Sequence, residues 1–380
     1  MMKIINLIIK PTSECNLRCA YCYHAETNYA CGTMKIEKLK KLFDLASNEY
    51  ETIRVTWHGG EPMLLGKKYI SEVLKYQKQL EKEKNVSFTN AMQTNGTLIT
   101  LSWCRFFKKH KILPGISFDG PTNDINRSNS KDIYKAFKRM KFSRMSVGCL
   151  AVVNKNNLNQ IELYTEMKKY ANNLKFNPVF STDHHPDFEI DVNDYIKSTN
   201  ELFDYWLYDK DGIIVEPLSL YMSKALGLPH SSCANSSCLG KWLDIDSKGV
   251  IRTCGQSQDE PFIIGHLDEV EKLSDVFMSE QFNNLLTKAI ARREKCKSSC
   301  KFFLECQGNC LFKSYIENGI EELNGFSCKA FRGIYGYIKM KTIELLKNKV
   351  PLDTLNPIAK KIIADAISSN PKFISGIING

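Results

Sequence analysis

The chain has 380 residues, 14 of them cysteine, and a formal net charge of +10 from 52 Lys and Arg against 42 Asp and Glu. A chain this long builds its core without disulfide staples, so the cysteines are expected to be metal ligands in a reduced, cytoplasmic protein, not the framework of a secreted scaffold. No run approaches the ~18 uninterrupted apolar residues of a membrane span, and no basic run is interleaved with stacking aromatics, so neither a membrane nor a nucleic acid is expected as a partner.

The apolar N-terminal stretch is too short for a signal peptide and reads as a buried strand, Ile4–Ile9. Further strands are predicted at Thr52–Trp57, Ser87–Gln93, Pro114–Phe118, Ser146–Val153 and Leu174–Val179, each a short apolar or β-branched run. Helices are predicted between them at Lys35–Asn48, Lys68–Glu83, Trp103–His110, Ile133–Lys141 and Leu158–Ala171; the first places Leu39, Leu42 and Leu45 on one face. Lysine-rich helices such as Lys35–Lys41 and Lys67–Lys84 read as solvated faces, and their charge also suits an acidic peptide. Six strand–helix units with short connections imply an α/β fold, a partial (β/α)6 relative of the TIM barrel, with its chemistry at the C-terminal ends of the strands. The tail after Cys328 starts as helix and is broken by Pro351, Pro357 and Pro371.

The first strand runs into Cys15-x3-Cys19-x2-Cys22. A [4Fe–4S] cube ordinarily takes four thiolates, and a nearby set of only three leaves one iron open to a small chelating ligand. The alternative is a structural zinc knuckle, but such sites use two close pairs of ligands, and no second cysteine pair lies nearby. Other polar motifs fall at the strand ends: His58-Gly59-Gly60-Glu61-Pro62, Gln93-Thr94-Asn95-Gly96 and Ser117-Phe118-Asp119-Gly120-Pro121, followed by Asn126-Arg127. A glycine pair at a strand end admits a ligand or backbone that a Cβ would exclude.

These motifs together resemble the radical S-adenosylmethionine (SAM) enzymes. The resemblance implies that SAM binds the open iron through its amino and carboxylate groups, and that reduction cleaves it to a 5′-deoxyadenosyl radical. It also implies that Gly59, Gly60 and Glu61 line the SAM amino group, Ser117 the ribose and Arg127 the carboxylate, with Tyr21 and Phe180 bordering the adenosine. The alternative for Arg127 is a surface loop residue, and for the two aromatics plain core.

The second half carries Cys233, Cys238, Cys254, Cys296, Cys300, Cys306, Cys310 and Cys328, eight thiols and enough for two further cubes. Their order resembles the SPASM extension of sulfatase-maturing and peptide-modifying radical SAM enzymes, with one extra residue between Cys296 and Cys300; zinc ribbons are the alternative. The resemblance implies interleaved ligands, Cys233, Cys238, Cys254 and Cys310 for one auxiliary cluster and Cys296, Cys300, Cys306 and Cys328 for the other. The organisation expected is a radical SAM partial barrel over 1–210, a bridge over 211–232, the SPASM domain over 233–328 and a helical tail over 329–380. The cofactors expected are three [4Fe–4S] clusters and SAM. Cys104 and Cys149 sit in apolar settings and read as core; Cys31 is unassigned, and would matter as a hydrogen donor if the enzyme epimerised residues.

Sulfatase-maturing enzymes carry an aspartate directly after the cysteine equivalent to Cys254, as the base in formylglycine formation. Here that residue is Gly255, which accepts no proton, and Asp119, Asp244 and Asp246 are the candidate substitutes. The expectation is therefore a maturase that crosslinks a ribosomally made precursor peptide, with formylglycine formation or epimerisation as alternatives. An iron–sulfur electron-transfer protein would explain the later thiols but not the triplet. A flavodoxin or ferredoxin is expected as electron donor. Little chain precedes Ile4, so leader recognition is expected on another surface or a separate partner.

Overall fold

The computed structural model describes residues 3–23, 32–179, 186–229, 233, 238–257 and 260–379. Its strands are β1 (Ile4–Lys10), β2 (Thr52–Trp57), β3 (Ser87–Thr94), β4 (Ile112–Ser117) and β5 (Gly148–Val153). They continue with β6 (Asn173–Pro178), β7 (Ile214–Glu216), β8 (Trp242–Asp246), β9 (Val250–Arg252) and β10 (Ile263–His266). Two compact units emerge, one from Met1–Ser117, Arg127–Met145 and Ser236–Glu294, the other from Phe118–Asn126, Ser146–Asn235 and Lys295–Gly380.

In the first unit the strand order is β10-β9-β8-β1-β2-β3-β4. Strands β8, β1, β2, β3 and β4 run parallel, and β9 is antiparallel to both its neighbours. In β1 the side chains of Ile5, Leu7 and Ile9 are fully buried, as period-two alternation in a covered strand requires. The register Asn6↔Trp242 to Lys10↔Asp246 draws the later cysteine-rich segment onto the edge of β1. Helices Ile36–Glu49, Gly66–Lys84, Leu101–His110 and Ser130–Phe142 flank the strands; Leu39, Leu42, Phe43 and Ala46 form the buried stripe of the first.

The second unit holds β5, β6 and β7, paired in parallel in that order. The helix expected over Leu158–Ala171 is shorter, Gln160–Met167, because Lys155–Asn157 form a tight turn and the Asn159 side chain accepts from Glu162 N to start the helix later. The tail forms helices Phe326–Lys347, Pro357–Ser369 and Pro371–Asn379, with Pro357 and Pro371 each in a first turn, where the missing N–H costs nothing. Cys104 and Cys149 are buried core, as expected. No helix among the described residues is long and apolar enough to cross a membrane.

Candidate functional site

The Cys15–Cys22 loop is gripped from below by the glycine pair that follows β2. Gly60 N donates to Thr12 O at 3.0 Å and Glu61 N to Glu14 O at 2.8 Å. A Cβ on Gly60 would come within 2.1 Å of Glu14 O, and one on Gly59, whose φ is +113°, within 2.4 Å of Thr12 O. Both glycines are thus required by close backbone approach. Glu61 is fully buried and accepts from Met63 N at 3.0 Å, Thr94 Oγ1 at 2.8 Å and Asn95 N at 2.8 Å. It ties the strand ends of β2 and β3 together. Asn95 in turn donates to Asn16 Oδ1 at 2.9 Å inside the cysteine loop.

Around the thiols the chain supplies donors. Leu17 N lies 3.5 Å and Asn95 Nδ2 3.9 Å from Cys15 Sγ, while Arg127 Nη1 lies 3.9 Å from Cys19 Sγ. The Arg127 guanidinium stands 5.1 Å from the centroid of the Tyr21 ring. Arg127 therefore belongs to the cysteine loop and not to open surface. Ser117 Oγ accepts from Gln93 Nε2 at 2.8 Å, joining the ends of β3 and β4. Burial, with Glu61 and Cys22 adding negative charge, pushes the Cys15 thiol up. Three thiolates in that setting would need a cationic partner, and an iron core suits the donor set. No disulfide joins the described cysteines, and among the described residues no three His, Cys, Asp or Glu side chains are already drawn together around a single ion. Phe180 and Cys31 lie outside the described residues.

A buried group of charges adjoins this loop, and sequence reasoning missed its centre, Lys10. Its signal was a lysine closing an otherwise apolar strand. Lys10 and Asp244 are both fully buried, with Nζ 3.2 Å from Asp244 Oδ2 and 2.7 Å from Gly255 O. Tyr23 OH also donates to Gly255 O, at 3.4 Å. Burial and the Lys10 ammonium hold His58 down to about 3, so the ring is neutral, and its Nδ1 accepts from Gly59 N at 2.8 Å. A Cβ on Gly255 would meet Ile8 Cδ1 at 2.7 Å and Asp244 Oδ2 at 3.4 Å. Burial raises the Asp244 carboxyl, with the Lys10 and Arg252 cations, 3.2 and 3.7 Å from its oxygens, opposing.

The other aspartates are committed. Asp246 caps the β8–β9 turn by accepting from Lys248 N, Gly249 N and Val250 N and pairs with Arg252 at 2.9 Å. Asp119, in the second unit, accepts from Val152 N and Asn126 Nδ2.

Of the later thiols, Cys238 and Cys254 belong to the first unit and Cys233, Cys296, Cys300, Cys306, Cys310 and Cys328 to the second. Burial and the neighbouring Cys328 and Cys296 push the Cys306 thiol up to about 12. Cys300 N donates to Cys296 O at 2.9 Å, one turn on along the end of helix Glu280–Ser299. Burial also raises the Cys310 thiol; there the neighbouring thiol is Cys233, with Lys313 opposing. Cys233 thus neighbours Cys310, and Cys296 and Cys328 neighbour Cys306.

The sequence pattern of the Radical SAM superfamily matches residues 9–167. A cysteine-type anaerobic sulfatase-maturating enzyme of Clostridium novyi (strain NT) is 30% identical over 367 residues, covering 85% of this chain and 97% of that protein. A solved structure described as native anSMEcpe with bound AdoMet and Kp18Cys peptide superposes with a TM-score of 0.79 at 25% identity, covering 90% of this chain and 99% of that one. Streptococcus suis SuiB bound to precursor peptide SuiA shares the fold, with a TM-score of 0.63 at 18% identity over 86% of this chain and 76% of that one. The chain belongs to the radical SAM superfamily and, within it, to the SPASM-type family that contains the anaerobic sulfatase-maturating enzymes.

Proposed function

We propose that this radical SAM enzyme matures a ribosomally made precursor peptide, taking a hydrogen from one of its residues and closing a thioether or carbon–carbon crosslink. When bound, SAM and the cluster of the Cys15 loop supply hydrogen-atom abstraction from an unactivated carbon. Cys15, Cys19 and Cys22 hold that cluster, and Tyr21, Gly59, Gly60, Glu61, Ser117 and Arg127 border SAM. Cys233, Cys238, Cys254 and Cys310 form one auxiliary site, and Cys296, Cys300, Cys306 and Cys328 the other. A peptide as substrate is supported by the Kp18Cys peptide on anSMEcpe and the precursor peptide on SuiB. A flavodoxin or ferredoxin supplies the electron.

The observation that carries this reading is Gly255. Sulfatase maturation needs a carboxylate to take the substrate proton, and at 255 there is no side chain. Ile8 fills the space a Cβ would need, and Lys10 and Tyr23 occupy the backbone carbonyl. Formylglycine formation is the second reading, favoured by the likeness to the sulfatase-maturating enzyme of Clostridium novyi and by the Asp244 carboxylate, within 3.4 Å of where a Cβ at 255 would stand.

Anaerobically reconstituted enzyme separates the two. With a small precursor encoded beside it, crosslinking is expected as a loss of about two hydrogens, since one is abstracted and a further proton and electron leave. A sulfatase-type peptide, Cys-x-Pro-x-Arg or Ser-x-Pro-x-Arg, should stay unmodified. Formylglycine from the unaltered enzyme would overturn the crosslinking reading and make Asp244 the base to test. An unchanged mass with one deuterium gained from heavy water would instead mean epimerisation.

A further inference from the structure

Helix Leu218–Ala225 brings a lysine into the interior of the second unit, beside a cysteine of the last cluster set. Lys224 is 7% exposed, its Nζ donates to Glu305 O at 2.9 Å, and it stands 5.5 Å from the centroid of the Phe331 ring. Glu305 immediately precedes Cys306. Cys306 is itself packed with Ala225, Phe331 and Tyr335, with Tyr221 and Phe302 around them. The lysine and the thiol therefore share one apolar compartment.

The nearest carboxylate, Glu305, is shared with other groups. Glu305 Oε1 pairs with Lys339 Nζ at 2.8 Å and accepts from Tyr335 OH at 3.3 Å. Two ammonium groups and one carboxylate leave one positive charge in excess at this spot. A buried cation is costly unless an anion answers it, and the anion on offer is the cluster set of Cys306 with its neighbours Cys296 and Cys328.

We propose that Lys224 sets the redox potential of the cluster held by Cys296, Cys300, Cys306 and Cys328, easing its reduction so that it accepts the electron released as the crosslink closes. Reduction adds one negative charge to a cluster, and a fixed cation in a low-dielectric compartment stabilises that state over the oxidised one. The electrons balance. One electron from the external donor enters with SAM cleavage, one hydrogen atom leaves the peptide with the adenosyl group, and bond closure then releases a proton and one electron, the electron reducing this cluster.

The proposal rests on the assignment of the four cysteines to a cluster. The test is a potentiometric titration at pH 7, followed by electron paramagnetic resonance, on the reconstituted full chain with Lys224→Met, Lys224→Gln and Lys224→Arg. One midpoint potential should shift negative in the Met and Gln variants and stay near the parent in the Arg variant, with the cluster of the Cys15 loop unmoved. Crosslinked product per SAM cleaved should fall with it. Gln keeps the hydrogen bond to Glu305 O, so it decides the matter should the Met variant fail to fold. An unmoved potential in a neutral variant with full iron content overturns the proposal. Loss of the cluster in both neutral variants but not in the Arg variant also overturns it, because Lys224 would then hold the loop and not tune the metal. A parent protein that lacks this cluster altogether would instead break the assignment beneath it.

Discussion

Arg127 shows how far a single residue was legible. Its motif placed it in a loop, and a lone loop arginine is usually a solvated surface group. The structure sets its guanidinium 3.9 Å from Cys19 Sγ and over the Tyr21 ring, an environment that a freely solvated side chain would not keep. If it grips the SAM carboxylate, Arg127→Lys keeps the charge and loses the planar fork, and SAM affinity should fall by roughly tenfold with iron content unchanged. Ser117→Ala should weaken SAM by about 1 kcal/mol or less, since one neutral contact goes. Equilibrium binding of SAM to the reconstituted protein measures both; parental affinity in the pair would remove these residues from the SAM site. Asp244 marks the opposite limit. In sequence it was one of three candidate aspartates, because composition does not reveal which carboxylates are already engaged. Asp246 spends its oxygens on a turn and Asp119 on Val152 N and Asn126, while Asp244 faces Lys10 across a buried space.

At the scale of elements, the six β/α units were legible because each strand is a short apolar run followed by a helix with a continuous apolar stripe. The two periodicities do not mimic each other there. Strands β8 to β10 were not read. Asp244 and Asp246 alternate with Leu243 and Ile245 as a solvated face would, yet they are buried, and that burial is tolerated only because Lys10 and Arg252 meet them, one from a strand more than 200 residues away in sequence. The tail was legible as helices broken by proline, but not as to what anchors it. Asn356 does. Fully buried, it accepts from Ile358 N at 2.7 Å to cap helix Pro357–Ser369. Its Nδ2 donates to Trp206 O at 2.9 Å and its backbone N to Leu207 O at 2.8 Å, at the end of helix Val192–Tyr208. Asn356→Ala removes the cap and strands a buried carbonyl, which should cost about 2–3 kcal/mol. Limited proteolysis should then release the tail at protease concentrations the parent resists. A variant as resistant as the parent would mean the tail is held by its apolar face alone.

For the whole molecule the decisive quantity is iron. Cysteine spacing announces ligands but leaves open which thiols share a cluster, because partners far apart in sequence meet only in the fold. Cys296 and Cys328 neighbour Cys306, and Cys233 neighbours Cys310. If all three sites fill, anaerobic reconstitution should load roughly 12 irons per chain, four to each cube. The Cys15 loop lies in the first unit, and Cys296, Cys300, Cys306 and Cys328 lie in the second. Loss of the first site should therefore leave the last intact. Replacing Cys15, Cys19 and Cys22 with Ala should remove about a third of the iron and all SAM cleavage, because the open iron is lost while two fully ligated cubes remain. The measurement pairs iron and sulfide analysis with chromatography of 5′-deoxyadenosine. If the triple variant still made 5′-deoxyadenosine, the open cluster would have to sit among the later cysteines. If it lost all its iron, the three sites would depend on one another, and the assignment of a separate cluster to each cysteine set would fall.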